Sequence, residues 1–450
     1  MSTAAAPHTP LLQAFRARAE NKKEKGLPTV GPRFADFITL LGCLMPVTVC
    51  LYLGQVKPLF AVGSVEFTQP DLVCGVLVIA VLVRATLVGF HTVPRLLYIP
   101  VALFLVSTIV SALFSADKLR GVAACIQIVE FFLVAWGFAL IADEKRFLRI
   151  VHFTLLVFAF ESVVAMTQLV TTDAYPRGTF LVHQVYSILV CMAAVISFTL
   201  FTIRRPARGR WGYGILTAIL MIGAVLGQER QPWLALVIGC FTVVFFSGNR
   251  KKLFRTLLAL MLLAVILVAS IPRLREMTLH RFAQAQSSSE TENSLLTRLL
   301  LWSIAYKMFL SHPVLGVGPK NYVSLVPHFA TFEEMMGAEA LDPHNVWIQL
   351  LAEQGLVGFI IYLVLTWALL KLAGLRLRSR MNEVGRSLSL LYFGALIYWL
   401  CISLPYFMKA EGHMYFMLIG LTAGMYQRYS TTQALPDGNT VDPEPQSQPA

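Results

Sequence analysis

Arg177, Arg230 and Arg298, with His183 and His344, are the side chains in this sequence best suited to handling a polyanion. Guanidinium is a planar fork that stays charged and matches a phosphate through two parallel hydrogen bonds. Imidazole titrates near neutrality and can move protons. Tyr175-Pro-Arg-Gly-Thr-Phe180 sets Arg177 beside a turn glycine, with His183 just after it. Gln228-Glu-Arg-Gln-Pro232 sets Arg230 between two apolar runs, and Gly316-Val-Gly-Pro-Lys-Asn-Tyr322 carries Lys320. Asp342-Pro-His-Asn345 puts His344 at the opening of another apolar run. Plainer readings stand beside these. Arg177 could anchor a turn, Arg230 could keep a hairpin tip out of lipid, Arg298 could snorkel, and His183 could cap a helix.

His344 is the sharpest case. A helix N-terminus disfavours imidazolium, so the ring would tend to stay neutral and accept a proton, although Asp342 pulls the other way. Asn345, Gln349 and Glu353 follow at i, i+4 and i+8, on one helical face. Gly316 to Pro319 could aim backbone N–H groups at a phosphate or simply turn the chain; it is no P-loop, since GxxxxGK[ST] is absent. Glu130 and Glu161 lie inside apolar runs, where a structural charge pair is expected rather than a proton path; Arg84 would pair or snorkel. The seven cysteines sit in apolar runs without CxxC spacing and read as small buried hydrophobes. No His, Asp or Glu set has metal-ligand spacing, so neither a metal nor a cofactor is expected.

The elements that must position these residues are set by composition. Of 450 residues, 56% are hydrophobic and 14% charged, with mean hydropathy +0.66. That balance excludes a soluble enzyme, a disordered chain and a coiled coil. Apolar stretches at about 37–56, 72–90, 96–115, 121–142, 147–170, 180–203, 213–227, 233–248, 253–271, 349–371, 387–407 and 413–428 predict an all-α integral membrane protein with about twelve transmembrane helices. Those at 213–227 and 233–248 are short. The net charge of +12 fits cytoplasmic loops rather than nucleic acid. With the basic N-terminus inside, Arg204 to Arg210, Arg250 to Arg255 and Lys371 to Arg386 all fall on the inner side. Both termini are then cytoplasmic, and the polar clusters face outward. No cleaved signal peptide is expected in the polar, basic start.

The predicted organisation is a basic tail at 1–35, a bundle at 36–271, one large outer loop at 272–348, a second bundle at 349–428 and a disordered cytoplasmic tail at 429–450. Within the loop an amphipathic helix is expected at about 294–311, opened by an Asn293 cap. Its seam would be Leu295, Leu299, Trp302 and Phe309, it would stop before Pro313, and it could lie on the membrane.

Arg298-Leu-Leu-Leu-Trp302 through Met308, Pro313-Val-Leu-Gly-Val-Gly-Pro-Lys-Asn-Tyr322 and His344-Asn-Val-Trp-Ile-Gln-Leu-Leu-Ala-Glu-Gln-Gly-Leu-Val-Gly358 resemble the O-antigen ligase and polymerase family. Arg177-Gly-Thr-Phe180 and Arg230 with Trp233-Leu-Ala-Leu236 resemble its upstream elements. The resemblance implies a polytopic C-type glycosyltransferase of the bacterial inner membrane, acting at the periplasmic face. It would move a glycan from undecaprenyl diphosphate to the lipid A–core, with inversion and without a metal. It implies diphosphate contacts for Arg230 and Arg298 and a base role for His344. Arg177, His183, Lys320, Asn345, Trp302 and Glu353 are further candidate substrate contacts. The expected partners are a carrier-linked glycan donor, a lipid A–core or glycan acceptor and membrane lipids, with no nucleic acid. A repeat-unit polymerase is the same-family alternative. A transporter is a weaker one, because the polar clusters gather at one face rather than mid-membrane.

Overall fold

A computed structural model describes residues 31–53, 60–62, 65–67, 69–88, 95–172, 175–180, 183–203, 207–247, 250–286, 288–331, 342–378, 383–402 and 410–433. The helices are α1 (Pro32–Leu53), α2 (Gln69–Val88), α3 (Arg95–Leu113), α4 (Lys118–Ile141), α5 (Glu144–Thr171), α6 (His183–Ile203), α7 (Ala207–Leu226), α8 (Arg230–Phe246) and α9 (Arg250–Ser270). They continue with α10 (Pro272–Gln286), α11 (Ser288–Ser311), α12 (Tyr322–Phe329), α13 (Val346–Arg378), α14 (Glu383–Ile402) and α15 (Ala410–Gln433).

Each of the twelve apolar stretches coincides with one helix. Among the described residues, seven helices are long and apolar enough to cross a membrane, and four shorter apolar ones fall below that length. The chain is a polytopic membrane protein. In the apolar window of α9 only 11% of residues are buried. Phe254, Leu258, Leu262, Val265 and Ile266 stand exposed on it, a surface that only lipid or another apolar body can cover. In α6 the share is 83%, so α6 is the central helix, packed against α7, α8 and α14.

The all-α class stands, with one small hairpin beside it: β1 (Phe60–Val62) pairs antiparallel with β2 (Val65–Phe67) between α1 and α2. Two three-residue apolar strands separated by Gly-Ser have hairpin spacing, which a search for twenty-residue apolar runs passes over. Two expectations need correction: the described part of the long connection holds three helices rather than one, and α11 starts at Ser288, so Asn293 lies inside it and is no cap.

The seam of α11 is also rotated from the expected one. Leu301, Ile304, Ala305 and Met308 are buried, with Val317, Tyr322, Val326 and Ala352. Leu299 is exposed, as are Tyr306 and Leu310 on the same side. The helix is therefore apolar on two opposite sides. It packs one on the protein and offers the other outward, so the hydrophobic recurrence alone could not say which was the core.

The end of the bundle that carries the motifs is built by a broken helix. Gly355 has φ 64°, ψ −164° inside α13, a combination essentially restricted to glycine. The break frees backbone groups, and residues 313–318 satisfy them. Val317 N–H donates to Ala352 O (3.0 Å), Gly318 N–H to Glu353 O (2.9 Å), Leu356 N–H to Pro313 O (2.9 Å) and Val357 N–H to Val314 O (3.2 Å). Ser111 at the end of α3 donates to Leu315 O (2.7 Å) and Glu353 O (3.1 Å). Irregular backbone packed inside an apolar bundle persists where the protein itself supplies the hydrogen-bond partners.

Candidate active site

Two groups of candidate residues form at this end. The first surrounds the re-entrant loop. Asn345 caps α13: its Oδ1 accepts from Trp347 N–H (3.0 Å) and Ile348 N–H (3.3 Å). His344 stands just ahead of that cap, exposed, with φ 48°. The backbone on its other side is held by Trp302, whose Nε1–H donates to Pro343 O at 2.9 Å. Arg298 lies one turn before Trp302 on the same side of α11 and is exposed. So α11 presents a guanidinium and also fixes the backbone that carries the imidazole. Replacing Trp302 with Phe keeps the packing and removes one hydrogen bond of about 1 kcal/mol. The expected outcome is a three- to tenfold lower transfer rate at unchanged expression, read by steady-state kinetics.

Glu353 and Lys320 do work that sequence reasoning did not foresee. Glu353 is 1% exposed. Its carboxylate accepts from Lys320 N–H (2.9 Å), Tyr322 N–H (3.1 Å) and Gln349 Nε2 (3.2 Å). This enclosure makes it a positioning residue for the loop and corrects its reading as a substrate contact. Lys320 has φ 62°, and its Nζ donates to Gln127 Oε1 on α4 at 2.7 Å. Burial pushes its ammonium below the ordinary lysine range, against the raising pull of Glu353, Asp71 and Glu130. Asn321 ties the loop to the α3–α4 corner: its Nδ2 donates to Ser115 Oγ (2.6 Å) and its Oδ1 accepts from Asp117 N–H (2.9 Å). The N–H groups of Gly316, Val317 and Gly318 all go to carbonyls of the chain. The alternative in which that loop cradles a phosphate therefore falls.

The second group lies at the outer ends of α5 to α8. Gln168 shapes the turn before α6: its Oε1 accepts from Arg177 N–H (2.9 Å) and its Nε2 donates to Gly178 O (2.5 Å). Glu161 accepts from Thr179 N–H (2.7 Å) and Oγ1–H (2.9 Å). It fastens this turn, in place of the charge pair expected for it. Gly178 has φ 63°, and a Cβ there would run into the Glu161 carboxylate. His183 stacks on Tyr175 at 5.7 Å between centroids, and its Nε2 lies 2.8 Å from Glu229 Oε1. Arg230 is exposed as the first residue of α8. A cation is unfavourable at a helix N-terminus, so helix stability does not explain it; both it and the helix end favour an anion there.

Contacts join the second group to the loop helices through α10. Gln228 Nε2 donates to Thr278 Oγ1 (3.2 Å), and Arg273 NH1 donates to Leu169 O (2.7 Å). The candidate residues thus fall into two groups: Arg298 and His344, linked through Trp302 and Pro343, and Arg177, His183, Glu229 and Arg230. Among described residues, the non-glycine positions with positive φ are Gln228, Lys320 and His344. All three fall in these motifs, and such conformations gather where function over-determines the backbone. Glu229 was missed as a participant. An acidic residue beside Arg230 and a histidine at the facing helix start was the available signal, but their approach is tertiary.

Cys74 is buried, as its apolar setting implies. Cys74, Glu130 and His413 offer ligand atoms within 4.8 Å of one another, a grouping that local spacing cannot reveal. Glu130 faces His413 at 3.5 Å.

Residues 215–363 match a family model described as O-antigen ligase. The motifs point to the O-antigen ligase family. The matched segment opens in α7 and ends in α13, so it contains Arg230, Arg298, Lys320, His344 and the broken helix. Arg177 and His183 lie outside it. No curated protein matches the chain. At the coarse level, an O-antigen ligase family segment in a polytopic membrane protein supports a glycosyltransferase-type enzyme acting on a lipid-linked glycan.

Proposed function

We propose that the protein transfers a glycan from undecaprenyl diphosphate to the lipid A–core at the periplasmic face of the inner membrane. The observation that carries this reading is the Trp302–Pro343 hydrogen bond, which ties the helix bearing Arg298 to the backbone bearing His344 inside the segment similar to the O-antigen ligase family. An acceptor hydroxyl attacks the anomeric carbon from the face opposite the diphosphate. The anomeric C–O bond to the carrier breaks, the diphosphate leaves with the electron pair, and His344 takes the hydroxyl proton. Arg298 and Arg230 stabilise the charge that grows on the diphosphate oxygens, with Arg177 in support. A diphosphate leaves readily, so no general acid is required. The exposed apolar side of α11 would rest against the membrane surface where the carrier's headgroup sits.

Arg298→Ala and Arg230→Ala are each expected to lower kcat/KM about 10- to 100-fold, the worth of a hydrogen bond to a charged group. Lysine restores part of it, because charge returns without the fork. The whole reading is tested by deleting the gene and resolving lipopolysaccharide, carrier-linked glycan and secreted polysaccharide on gels. Full-length chains that stay on the carrier and leave lipid A–core bare are the expected result. Accumulated single repeats would make the enzyme a polymerase, and unchanged glycans would remove it from glycan assembly.

A further inference from the structure

Four side chains from three helices meet inside the bundle, near the point where Lys320 reaches α4. Cys74 on α2, Glu130 on α4 and His413 on α15 bring ligand atoms within 4.8 Å of one another. Asp71, one turn before Cys74, adds a second carboxylate. His413 Nε2 lies 3.6 Å from Asp71 Oδ1 and 3.5 Å from Glu130 Oε1. Cys74 and His413 are buried, at 0% and 1% exposure.

Both separations are longer than an ordinary N–H···O bond of about 2.9 Å. One nitrogen also carries at most one proton, so it cannot serve two carboxylates together. Glu130 Oε1 is buried with no hydrogen-bond partner among the described residues. A cation between these atoms resolves the arrangement. In a tetrahedral zinc site with nitrogen and oxygen ligands at about 2.0–2.1 Å, neighbouring ligands stand about 3.3 Å apart, close to the spacings seen. The ligand types narrow the ion. Thiolate with imidazole and carboxylate suits zinc; magnesium and calcium call for oxygen throughout.

The geometry points to a zinc-binding site made by Cys74, Glu130 and His413, with the Asp71 carboxylate beside His413. The ion holds α2, α4 and α15 together near the point where Lys320 lands on α4. A divalent cation with one thiolate and two carboxylates leaves a single negative charge. Lys320, bound to Gln127 one turn from Glu130, compensates it. The site is structural and takes no part in glycan transfer.

The test uses the full-length protein in detergent, with any affinity tag removed. Metal content is read by mass spectrometry, and zinc and cobalt(II) are titrated against a chromophoric chelator. One zinc per chain is expected, and cobalt is expected to give a near-ultraviolet thiolate-to-metal band. Cys74→Ser is nearly isosteric. It should abolish that band and weaken zinc by more than about 100-fold, beyond the 10- to 100-fold typical of outer-shell changes. Cys43→Ser should change neither. Absence of stoichiometric zinc and of the cobalt band in wild-type protein overturns the site and leaves an imidazolium between two carboxylates. A band that persists in Cys74→Ser also overturns it, because the thiolate then comes from another cysteine.

Discussion

Purified His344→Ala protein is expected to transfer glycan at least about 100-fold more slowly than wild type, the lower end of what a positioned general base contributes. Donor binding should change little, because the guanidinium groups remain. The argument rests on where the ring stands. His344 is exposed, precedes the Asn345 cap of α13 and is held from behind by the Trp302 bond to Pro343. A helix N-terminus disfavours imidazolium, which suits a proton acceptor at this position. One control separates chemistry from backbone. His344 has φ 48°, which glycine adopts freely and alanine does not. If His344→Gly is as slow as His344→Ala, the missing imidazole is the cause. If His344→Gly recovers, the left-handed backbone was what mattered. His183 against Glu229 is also a histidine oriented by a carboxylate, so His183→Ala measured beside it shows which half of the site takes the proton.

Gly355→Ala is expected to have the largest effect on stability. Its φ of 64° and ψ of −164° are strained for any side chain, by about 1–3 kcal/mol. A Cβ there would also run into the backbone of Val314 and Gly316, adding overpacking of about 1–3 kcal/mol. The loop cannot retreat, because its hydrogen bonds to Ala352, Glu353, Leu356 and Val357 are what satisfy the broken helix. Together these amount to about 3 kcal/mol or more, a large fraction of typical protein stability. The expected result is poor recovery of monodisperse protein and a lowered thermal midpoint. Gly75→Ala, where an added Cβ meets nothing within 4 Å, should behave as wild type.

The helices were legible in the sequence because about twenty apolar residues have few alternatives to a helix in an apolar solvent. The motif residues were legible as types: Gln349 and Glu353 do share one face and are joined by a bond, although the cap that Asn345 supplies to α13 was not read from the sequence. The roles were less so. Glu353 looked like a lining residue and is a buried clamp. The Gly316–Pro319 segment looked like an anion cradle, but its N–H groups close on the α13 break. That break itself was not legible, since Gly355 within an apolar run looks like any helix glycine until the loop beneath it is seen. The Cys74, Glu130 and His413 cluster joins positions hundreds of residues apart in part, and spacing rules address only neighbours. Hydrophobic period failed on α11 because that helix is apolar on two sides.

The central claim is that this protein is itself the transferase and that the Arg298–His344 half of the site performs the step. The most direct measurement reconstitutes purified wild-type protein in liposomes with an undecaprenyl-diphosphate-linked glycan and a lipid A–core acceptor, and follows the glycan on a gel beside Arg298→Ala and His344→Ala. The account predicts transfer by wild type without a partner protein, weaker donor use by Arg298→Ala and slow turnover with intact donor binding by His344→Ala. Transfer at wild-type rate by both variants, at equal folding and insertion, would contradict it.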